Sequence, residues 1–227
     1  MKEAFGKLIP DSLEELIDPK KTALVIVDMQ NDLCSPEGYL AVHDGQDVSP
    51  NRSIIEPLKV LIEKARQAGL PIVYVQYTVD PTHRLTNPAW VYNHLRERPG
   101  GKGHITLVSL EACFEGTWGW EVIPELTPEP GDIIIRKNHL GAFWDTNLDK
   151  ILRGNGIKGV VVTGTATSGC VLDTAVGAAA HDYFTVIVKD AVATNDLEAH
   201  ELGLKFLMER YDSPSSEEVV TAWALGS

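Results

Sequence analysis

The hydrophobic pattern of the chain alternates between short apolar runs and longer amphipathic stretches. Residues 22–29 (TALVIVDM) form a continuous apolar run rich in β-branched residues, which is typical of a strand buried on both faces. Further segments of the same character are predicted as strands at 70–77, 131–138, 159–164 and 184–190. Near the end of the sequence, EEVVTAW (217–223) fits either a last strand or a helical turn.

Helical periodicity fills most of the gaps between these strands. Ser49 and Pro50 can begin a helix that Gly69 ends, because the apolar residues between them recur three and four positions apart. Helices are also predicted from residue 145 or 146 to 154, from about 169 to 181 and from 196 to 211. Buried strands that alternate with helices predict an α/β fold with a parallel sheet and helices on both faces.

The pattern indicates one domain with two less regular parts. Residues 1–20 are predicted to form an N-terminal arm, and residues 21–227 the doubly wound domain. Residues 78–130 have no clean period and are rich in Pro, Gly, His and aromatic residues. An irregular insertion of this length is typical of a lid or a pocket wall.

Composition narrows the class of protein. The 227 residues carry 20 Lys and Arg against 32 Asp and Glu, a net charge of −12, which argues against binding to nucleic acid or to anionic membranes. No apolar run approaches the roughly 18 residues that a membrane span needs, and the acidic start is unlike a signal peptide. Three cysteines without a C-x-x-C pattern favour neither a disulfide scaffold nor a thiolate zinc site, so a reducing cytoplasm is expected.

Three reactive side chains follow or end predicted strands. Asp28 closes VIVD, Lys137 closes IIIRK, and Cys170 follows VVVTG. Because ligands bind beyond the carboxyl ends of parallel strands, an acid, an amine and a thiol are expected to converge there. Each has an ordinary alternative: a loop cap, a solvent-exposed lysine or an inert buried cysteine. Together they favour a hydrolase, since buried charges on these strands are otherwise costly.

The segment GTATSGCV (164–171) favours the catalytic interpretation. Its Gly, Ser and Thr residues are typical of a tight turn from a strand into a helix. A thiol at such a helix start is expected to have a pKa below about 7.5, because the helix dipole stabilises the thiolate. The free N–H groups of the same turn can hold an oxyanion.

Four blocks in this order resemble the isochorismatase-like cysteine hydrolase superfamily, which includes N-carbamoylsarcosine amidases, ureidoacrylate amidohydrolases, biuret hydrolases and nicotinamidases. The blocks are ALVIVDMQNDLC, GDIIIRKNHLGAFWDTNLD, GVVVTGTATSGCV and VIVKDAVAT, and they span about residues 20–195. The resemblance implies a parallel sheet of about six strands. It also implies a homo-oligomer, either a dimer or a tetramer.

The same resemblance implies roles for individual residues. Asp28, Lys137 and Cys170 match the catalytic triad of the superfamily. A cis peptide bond is expected between Thr165 and Ala166, and the N–H groups of Ala166 and Cys170 are expected to form the oxyanion hole.

Two departures from relatives narrow the chemistry. Nicotinamidases carry a D-x-H metal motif after the second strand, whereas this chain reads Tyr77, Thr78, Val79, Asp80, with His83 at the wrong spacing. We therefore expect no metal and no other cofactor, and we do not expect nicotinamide as substrate. Isochorismatases proper often lack the thiol, so Cys170 favours cleavage of a C–N bond over hydrolysis of a vinyl ether.

Candidate substrate contacts lie close to the predicted triad. Loop capping is the alternative role of Gln30 and Asn31, and packing is that of Phe143 and Trp144. Trp118, in the irregular insertion, can line the mouth of the pocket, and Thr167 is a further candidate. Arginines of the insertion can clamp a carboxylate or lie on the surface; they are Arg84, Arg96 and Arg98. Cys34 and Cys113 are predicted to be inert, and Asp190, in the predicted turn DAVAT, lies outside the site.

The leading hypothesis is a metal-independent cysteine amidohydrolase for a small carboxamide or ureido (N-carbamoyl) compound, acting through a thioester and releasing ammonia. The enzymatic alternatives are a vinyl-ether hydrolase of the isochorismatase type and a nicotinamidase-like amidase. Outside enzymes, a non-catalytic protein that binds small molecules on the same fold stays open, because a fold does not fix a function.

Overall fold

The computed structural model describes residues 1–86, 88–95 and 110–225. Within these residues, two strands form an antiparallel hairpin and five form a parallel sheet. In chain order the strands are β1 (Lys2–Ala4), β2 (Lys7–Ile9), β3 (Thr22–Val27), β4 (Ile72–Tyr77), β5 (Ile133–Lys137), β6 (Gly159–Thr165) and β7 (Phe184–Ala193).

Helices connect the strands of the sheet. In chain order they are α1 (Leu13–Leu16), α2 (Asn31–Cys34), α3 (Tyr39–Val42), α4 (Ser49–Ser53), α5 (Ile55–Ala68), α6 (Pro88–Leu95), α7 (Leu148–Gly154), α8 (Leu172–Ala180), α9 (Leu197–Met208) and α10 (Ser216–Leu225). Short 3₁₀ turns cover Trp118–Trp120 and Pro124–Leu126, and a π-helical turn covers Thr167–Val171.

The strand order is β5-β4-β3-β6-β7. The chain starts at the central strand β3, adds β4 and β5 on one side, and then crosses to add β6 and β7 on the other. The direction of winding therefore reverses between β3 and β6. A parallel sheet opens a crevice at such a reversal, beyond the carboxyl ends of its strands.

The central strand is buried on both faces, as its apolar run predicts. Leu24 and Ile26 pack on the side of α5 and α10, whereas Ala23, Val25 and Val27 pack on the side of α7, α8 and α9. Alternate residues of a strand point to opposite faces, so a continuous apolar run supplies two cores. The predicted doubly wound α/β domain with helices on both faces is confirmed.

In the described residues the parallel sheet has five strands, one fewer than the expected number of about six. Residues 216–225 form a helix because Val219, Ala222 and Trp223 recur three and four positions apart and are all buried. A trace of a sixth strand remains, since the amides of Ile187 and Lys189 donate to carbonyls at 212 and 214 over 3.0 and 3.1 Å. Residue 214 is proline, which has no N–H with which to continue a ladder.

The predicted turn DAVAT is also wrong, because β7 continues through it. After an irregularity opposite β6, Val192 and Ala193 pair with Gly164 and Thr165. Asp190 faces outward, where its carboxylate accepts hydrogen bonds of 2.7 Å from the amide and hydroxyl of Ser216 at the start of α10. This contact gives Asp190 a capping role.

The first predicted helix is divided at Ile54 into α4 and α5. The division follows from Pro57, which has no N–H to donate to the carbonyl four residues earlier. The helix ends as predicted at Gly69, whose φ of +74° is the left-handed conformation of many helix ends.

The two less regular segments contain short elements. In the predicted arm, β1 and β2 form the hairpin, while Ile17 is buried and its carbonyl accepts from the indole of Trp223 over 3.0 Å. In the predicted insertion, α6 and the 3₁₀ turns are described, and residues 87 and 96–109 lie outside the described residues. Over the described ranges, no helix combines the length and the hydropathy that crossing a bilayer requires.

Candidate active site

The strand order brings the three predicted reactive residues together at the reversal. Asp28 directly follows β3, and Cys170 lies in the π-helical turn after β6, the neighbouring strand. Lys137 is the last residue of β5, two strands from β3. Since neighbouring strands lie about 4.8 Å apart, only a long side chain reaches Asp28 from that position.

The Lys137 ammonium group lies at the centre of this cluster. Its Nζ is 2.7 Å from Oδ2 of Asp28, 3.3 Å from Sγ of Cys170 and 3.1 Å from the carbonyl of His139. The side chains of Asp28 and Lys137 are both 0% exposed. Three partners for the three N–H donors explain how a lysine is accommodated away from water.

Burial and mutual charge perturb the pKa values of the pair. Burial raises the pKa of Asp28, although the Lys137 ammonium and nearby hydrogen bonds oppose the shift. Burial alone lowers the pKa of Lys137, but attraction to Asp28 and Cys170 prevails, and this pKa lies above its ordinary value. Lys137 therefore holds its proton more firmly than an exposed lysine does, and Asp28 binds a proton more readily than an exposed carboxylate does.

The predicted low pKa of Cys170 is wrong for this state of the protein. The side chain is 1% exposed, and burial raises the thiol pKa above its ordinary value; Lys137 opposes the shift and Asp28 adds to it. Desolvation of a thiolate outweighs the helix dipole on which the prediction rested. The resting thiol therefore keeps its proton and needs a base to remove it.

The turn that carries Cys170 is closed by backbone contacts. The peptide bond between Thr165 and Ala166 is cis, as the resemblance implies. The Ala166 carbonyl accepts from the amides of Gly169 and Val171 over 3.0 and 3.1 Å, which places Ala166 and Cys170 in one compact turn.

Gly164 allows the turn to approach the end of β3. A Cβ atom on Gly164 would lie 2.1 Å from the Val27 carbonyl oxygen, and the φ of +103° also disfavours other residues. Because Val27 precedes Asp28, this close approach sets the spacing between Asp28 and the thiol-bearing turn.

Gln30 and Asn31 stabilise the loops beside Asp28. The Gln30 amide donates to the carbonyls of Tyr77 and Trp120 over 2.9 and 2.7 Å and accepts from the Tyr77 amide over 2.8 Å. Asn31 donates to the Trp118 carbonyl over 2.8 Å. Both donors of Gln30 are used within the protein, as the loop-capping alternative expects, and a substrate contact of Gln30 or Asn31 stays a prediction.

Thr167 and Phe143 also face other parts of the protein. Thr167 is buried, and its hydroxyl lies 2.9 Å from Nδ1 of His200 on α9. Phe143 is buried in the core between α7 and α8, where its ring stacks on His181 and packs against Gly177. In this structure both side chains therefore contact other parts of the protein, as the packing alternative for Phe143 expects, and their contact with substrate stays a prediction.

Trp118 and Trp144 are half exposed, at 46% and 45%. Asp28, Lys137 and Cys170 do not line the cleft that contains Trp118. Trp118 lines a cleft of about 1040 Å³ above the outer strand β5. Trp144 lies edge-on to His181. A direct role for Trp118 at the thiol thus has no geometric support within the described residues, whereas a substrate contact of Trp144 stays a prediction.

The sequence interpretation missed the residues that do surround Lys137. The Tyr77 ring centre is 5.1 Å from Nζ of Lys137, and Tyr77 lines a small cavity with His139 and Trp90 of α6. The cavity volume of about 10 Å³ holds about one water molecule, so a substrate needs it to widen. Tyr77 and His139 adjoin the ends of β4 and β5, a signal that could have identified them, whereas nothing in the sequence distinguishes Trp90.

The remaining candidates lie outside the cluster. Cys34 and Cys113 are buried, and burial raises the pKa of both thiols. Arg84 is exposed, and Arg96 and Arg98 lie outside the described residues. Among the side chains that the structure describes, no three His, Cys, Asp or Glu residues are grouped as metal ligands.

Known proteins resemble this chain over most of its length. Ureidoacrylate amidohydrolase RutB from Caulobacter vibrioides is 32% identical over 211 residues, which cover 89% of this chain and 87% of that protein. N-carbamoylsarcosine amidase from Thermoplasma acidophilum is 30% identical, with a TM-score of 0.62 over 87% of this chain and 97% of that one. Pyrazinamidase of Pyrococcus horikoshii, solved in complex with zinc, is 28% identical, with a TM-score of 0.66 over 86% and 98%.

A family model agrees with these likenesses. The model described as the Isochorismatase domain matches residues 22–219, which contain every strand of the parallel sheet and all three clustered side chains. With that match and a relative above 30% identity, the chain belongs to the isochorismatase family.

Proposed function

We propose that this protein is a metal-independent cysteine amidohydrolase that cleaves a C–N bond of a small carboxamide or ureido compound and releases ammonia. The amidohydrolase and amidase relatives support the broader part of this proposal, which is the hydrolysis of a C–N bond. The observation that carries the mechanism is the buried contact of Lys137 with both the Asp28 carboxylate and the Cys170 thiol.

Proton transfer begins the proposed reaction. Because its raised pKa keeps the Cys170 thiol protonated, a base must act, and Asp28 is the carboxylate of the buried cluster. Asp28 takes the thiol proton as the sulfur attacks the substrate carbonyl, while Lys137 stabilises the developing thiolate. The C–S bond forms as the carbonyl π electrons move to oxygen, where the N–H groups of Ala166 and Cys170 hold the negative charge.

The same acid completes the cycle. Protonated Asp28 gives its proton to the departing nitrogen, and the C–N bond breaks. Ammonia departs, and the acyl group remains bound to Cys170 as a thioester. Asp28 then takes a proton from water, whose oxygen attacks the thioester. Collapse of this second tetrahedral intermediate returns the proton to sulfur and releases an acid. The raised pKa of Asp28 suits a group that alternately accepts and donates a proton.

A ureido substrate is the more specific part of the proposal. Two of the relatives are named for compounds that carry a ureido or carbamoyl group. A ureido group presents several N–H donors beside one carbonyl, so fixed polar partners can select it over an ester or an alkene.

The assembly of this protein into a dimer or a tetramer and its location in the cytoplasm stay predictions.

A substrate panel tests this function. Ammonia release is measured for ureidoacrylate, N-carbamoyl amino acids, biuret and nicotinamide, before and after dialysis against a strong chelator. Isochorismate, which contains no nitrogen, is assayed in parallel by its consumption. We expect a ureido compound to react fastest and dialysis to leave its rate unchanged. Nicotinamide as best substrate would overturn the ureido preference, and isochorismate as the one substrate would overturn the amidohydrolase. Loss of activity that zinc, manganese or iron restores would overturn metal independence.

Alkylation tests the nucleophile independently of any substrate. Iodoacetamide at pH 7 is expected to modify Cys170 before Cys34 and Cys113, because Lys137 stabilises the Cys170 thiolate and Cys170 has a base beside it. Peptide mass spectrometry after timed quenching identifies the modified residue. Faster modification of Cys34 with full retention of activity would contradict this assignment.

A further inference from the structure

The inner face of α9 packs directly on the turn that carries Cys170. A Cβ atom on Gly203 would lie 2.8 Å from Cα of Ser168, so the glycine lets helix and turn meet at backbone distance. One turn of helix earlier, His200 places Nδ1 2.9 Å from the hydroxyl of the buried Thr167. Thr167 directly follows Ala166, whose N–H is proposed to hold the oxyanion.

We propose that His200 is a positioning residue, which acts through the Thr167 hydroxyl to fix the turn that carries Ala166 and Cys170. This inference rests on the proposed function. Thr167 is fully buried, and its hydroxyl has one hydrogen-bond partner among the described residues, His200. The contact therefore orients the turn from outside the cluster of Asp28, Lys137 and Cys170.

The direction of the hydrogen bond follows from burial. A neutral imidazole with its proton on Nε2 offers Nδ1 as an acceptor for the Thr167 hydroxyl. Protonated His200 would occupy Nδ1 with its own N–H and leave the Thr167 hydroxyl proton without an acceptor in a buried site. The competent form of the contact thus has neutral His200.

The charges around His200 favour the neutral form at physiological pH. Burial lowers the pKa of His200 from its ordinary value, and Glu201 on the same helix opposes the shift. The π-helical turn carries one titratable side chain, Cys170. β7 also packs against α9, and its two charged side chains contact α10: Lys189 lies 3.7 Å from Glu218, and Asp190 accepts a hydrogen bond from Ser216.

Variants that remove either partner test the contact. Thr167→Val and His200→Leu each remove one side of the hydrogen bond, and the double variant removes both. We expect each single variant to lower kcat and the rate of Cys170 alkylation by iodoacetamide about tenfold to a hundredfold, with KM changed less, because a small displacement at a reacting group has effects of this size. The double variant should lose no more than one single variant, since both act through one contact.

Two further variants serve as comparisons. His200→Asn places a carboxamide oxygen near the position of Nδ1 and should restore most of the rate. Thr163 lies on β6, the strand that leads to the turn, and its buried hydroxyl donates to the Val25 carbonyl over 3.0 Å. Thr163→Val removes this different hydroxyl and should leave kcat within about twofold of the wild type. Circular dichroism melts show which variants remain folded.

The pH profile separates positioning from simple destabilisation. In the wild type, alkylation and turnover should decline on the acid side as His200 gains a proton, with a midpoint below about 6.5. His200→Asn should lack this decline and keep only the loss of rate that protonation of Asp28 causes. Identical acid limbs in both proteins, or additive losses in the double variant, would overturn the proposal. Alkylation needs no substrate, so failure of the ammonia assay alone would count against the proposed function and not against His200.

Discussion

Replacement of Cys170 by Ala is expected to lower kcat for ammonia release by at least about 10⁴-fold. Without the sulfur no thioester forms, and what remains is direct attack of water on a carbonyl held by the turn amides. Cys34→Ala and Cys113→Ala are matched controls, because both remove a buried thiol outside the cluster. They should stay within about twofold of the wild type unless the loss of packing unfolds the protein.

The measurement is steady-state ammonia release on the best ureido compound, with thermal melts to establish that each variant is folded. A folded Cys170→Ala protein within tenfold of the wild-type rate would remove the thiol from the mechanism. An equal loss in folded Cys34→Ala would move the nucleophile to Cys34.

Replacement of Lys137 by Met is expected to remove both activity and stability. The change leaves the Asp28 charge buried without its partner, and breaking a buried ion pair costs about 3–5 kcal/mol of the free energy of unfolding. Asp28→Asn removes the base and leaves the Lys137 ammonium unpaired. Each change is expected to lower kcat by at least about 10³-fold, because members of a catalytic unit act together.

The double variant Asp28→Asn/Lys137→Met separates these effects. It removes both charges, so its stability should recover relative to Lys137→Met while its activity stays lost. Arg153→Met is the surface control: it breaks the half-exposed pair with Asp149, 2.8 Å apart, and should cost about 1 kcal/mol or less. Urea titrations give the free energies of unfolding. A Lys137→Met protein as stable as the wild type, or an active double variant, would contradict the role of the pair.

Residues at strand ends could be located from the sequence alone. The apolar run before Asp28 and the run before the Cys170 turn each indicate a strand buried on both faces, and parallel strands bring their carboxyl ends to one edge. That rule suffices to place Asp28, Lys137 and Cys170 together. It does not give the strand order, so the sequence could not reveal that β3 and β6 are neighbours.

The roles of polar side chains depended on partners far away in the chain. Gln30 is saturated by backbone groups of Tyr77 and Trp120, and Thr167 meets His200, 33 residues further on. No local sequence pattern predicts such pairs. The prediction of a low pKa for Cys170 was wrong for a related reason. The helix start is visible in the sequence, whereas the burial that raises the thiol pKa, and outweighs the helix dipole, is a property of the assembled fold.

The central position of β3 has a consequence for incomplete chains. A polypeptide that stops before Gly159 can pair β3 with β4 on one side, but β6, its other neighbour, has not been made. The backbone groups of Thr22–Val27 on that side are then unpaired, on a strand that is apolar except for Thr22, and such an edge is a template for intermolecular β-pairing. Truncated or stalled translation products of this chain should therefore collect in the insoluble fraction, whereas chains that extend past β7 should not.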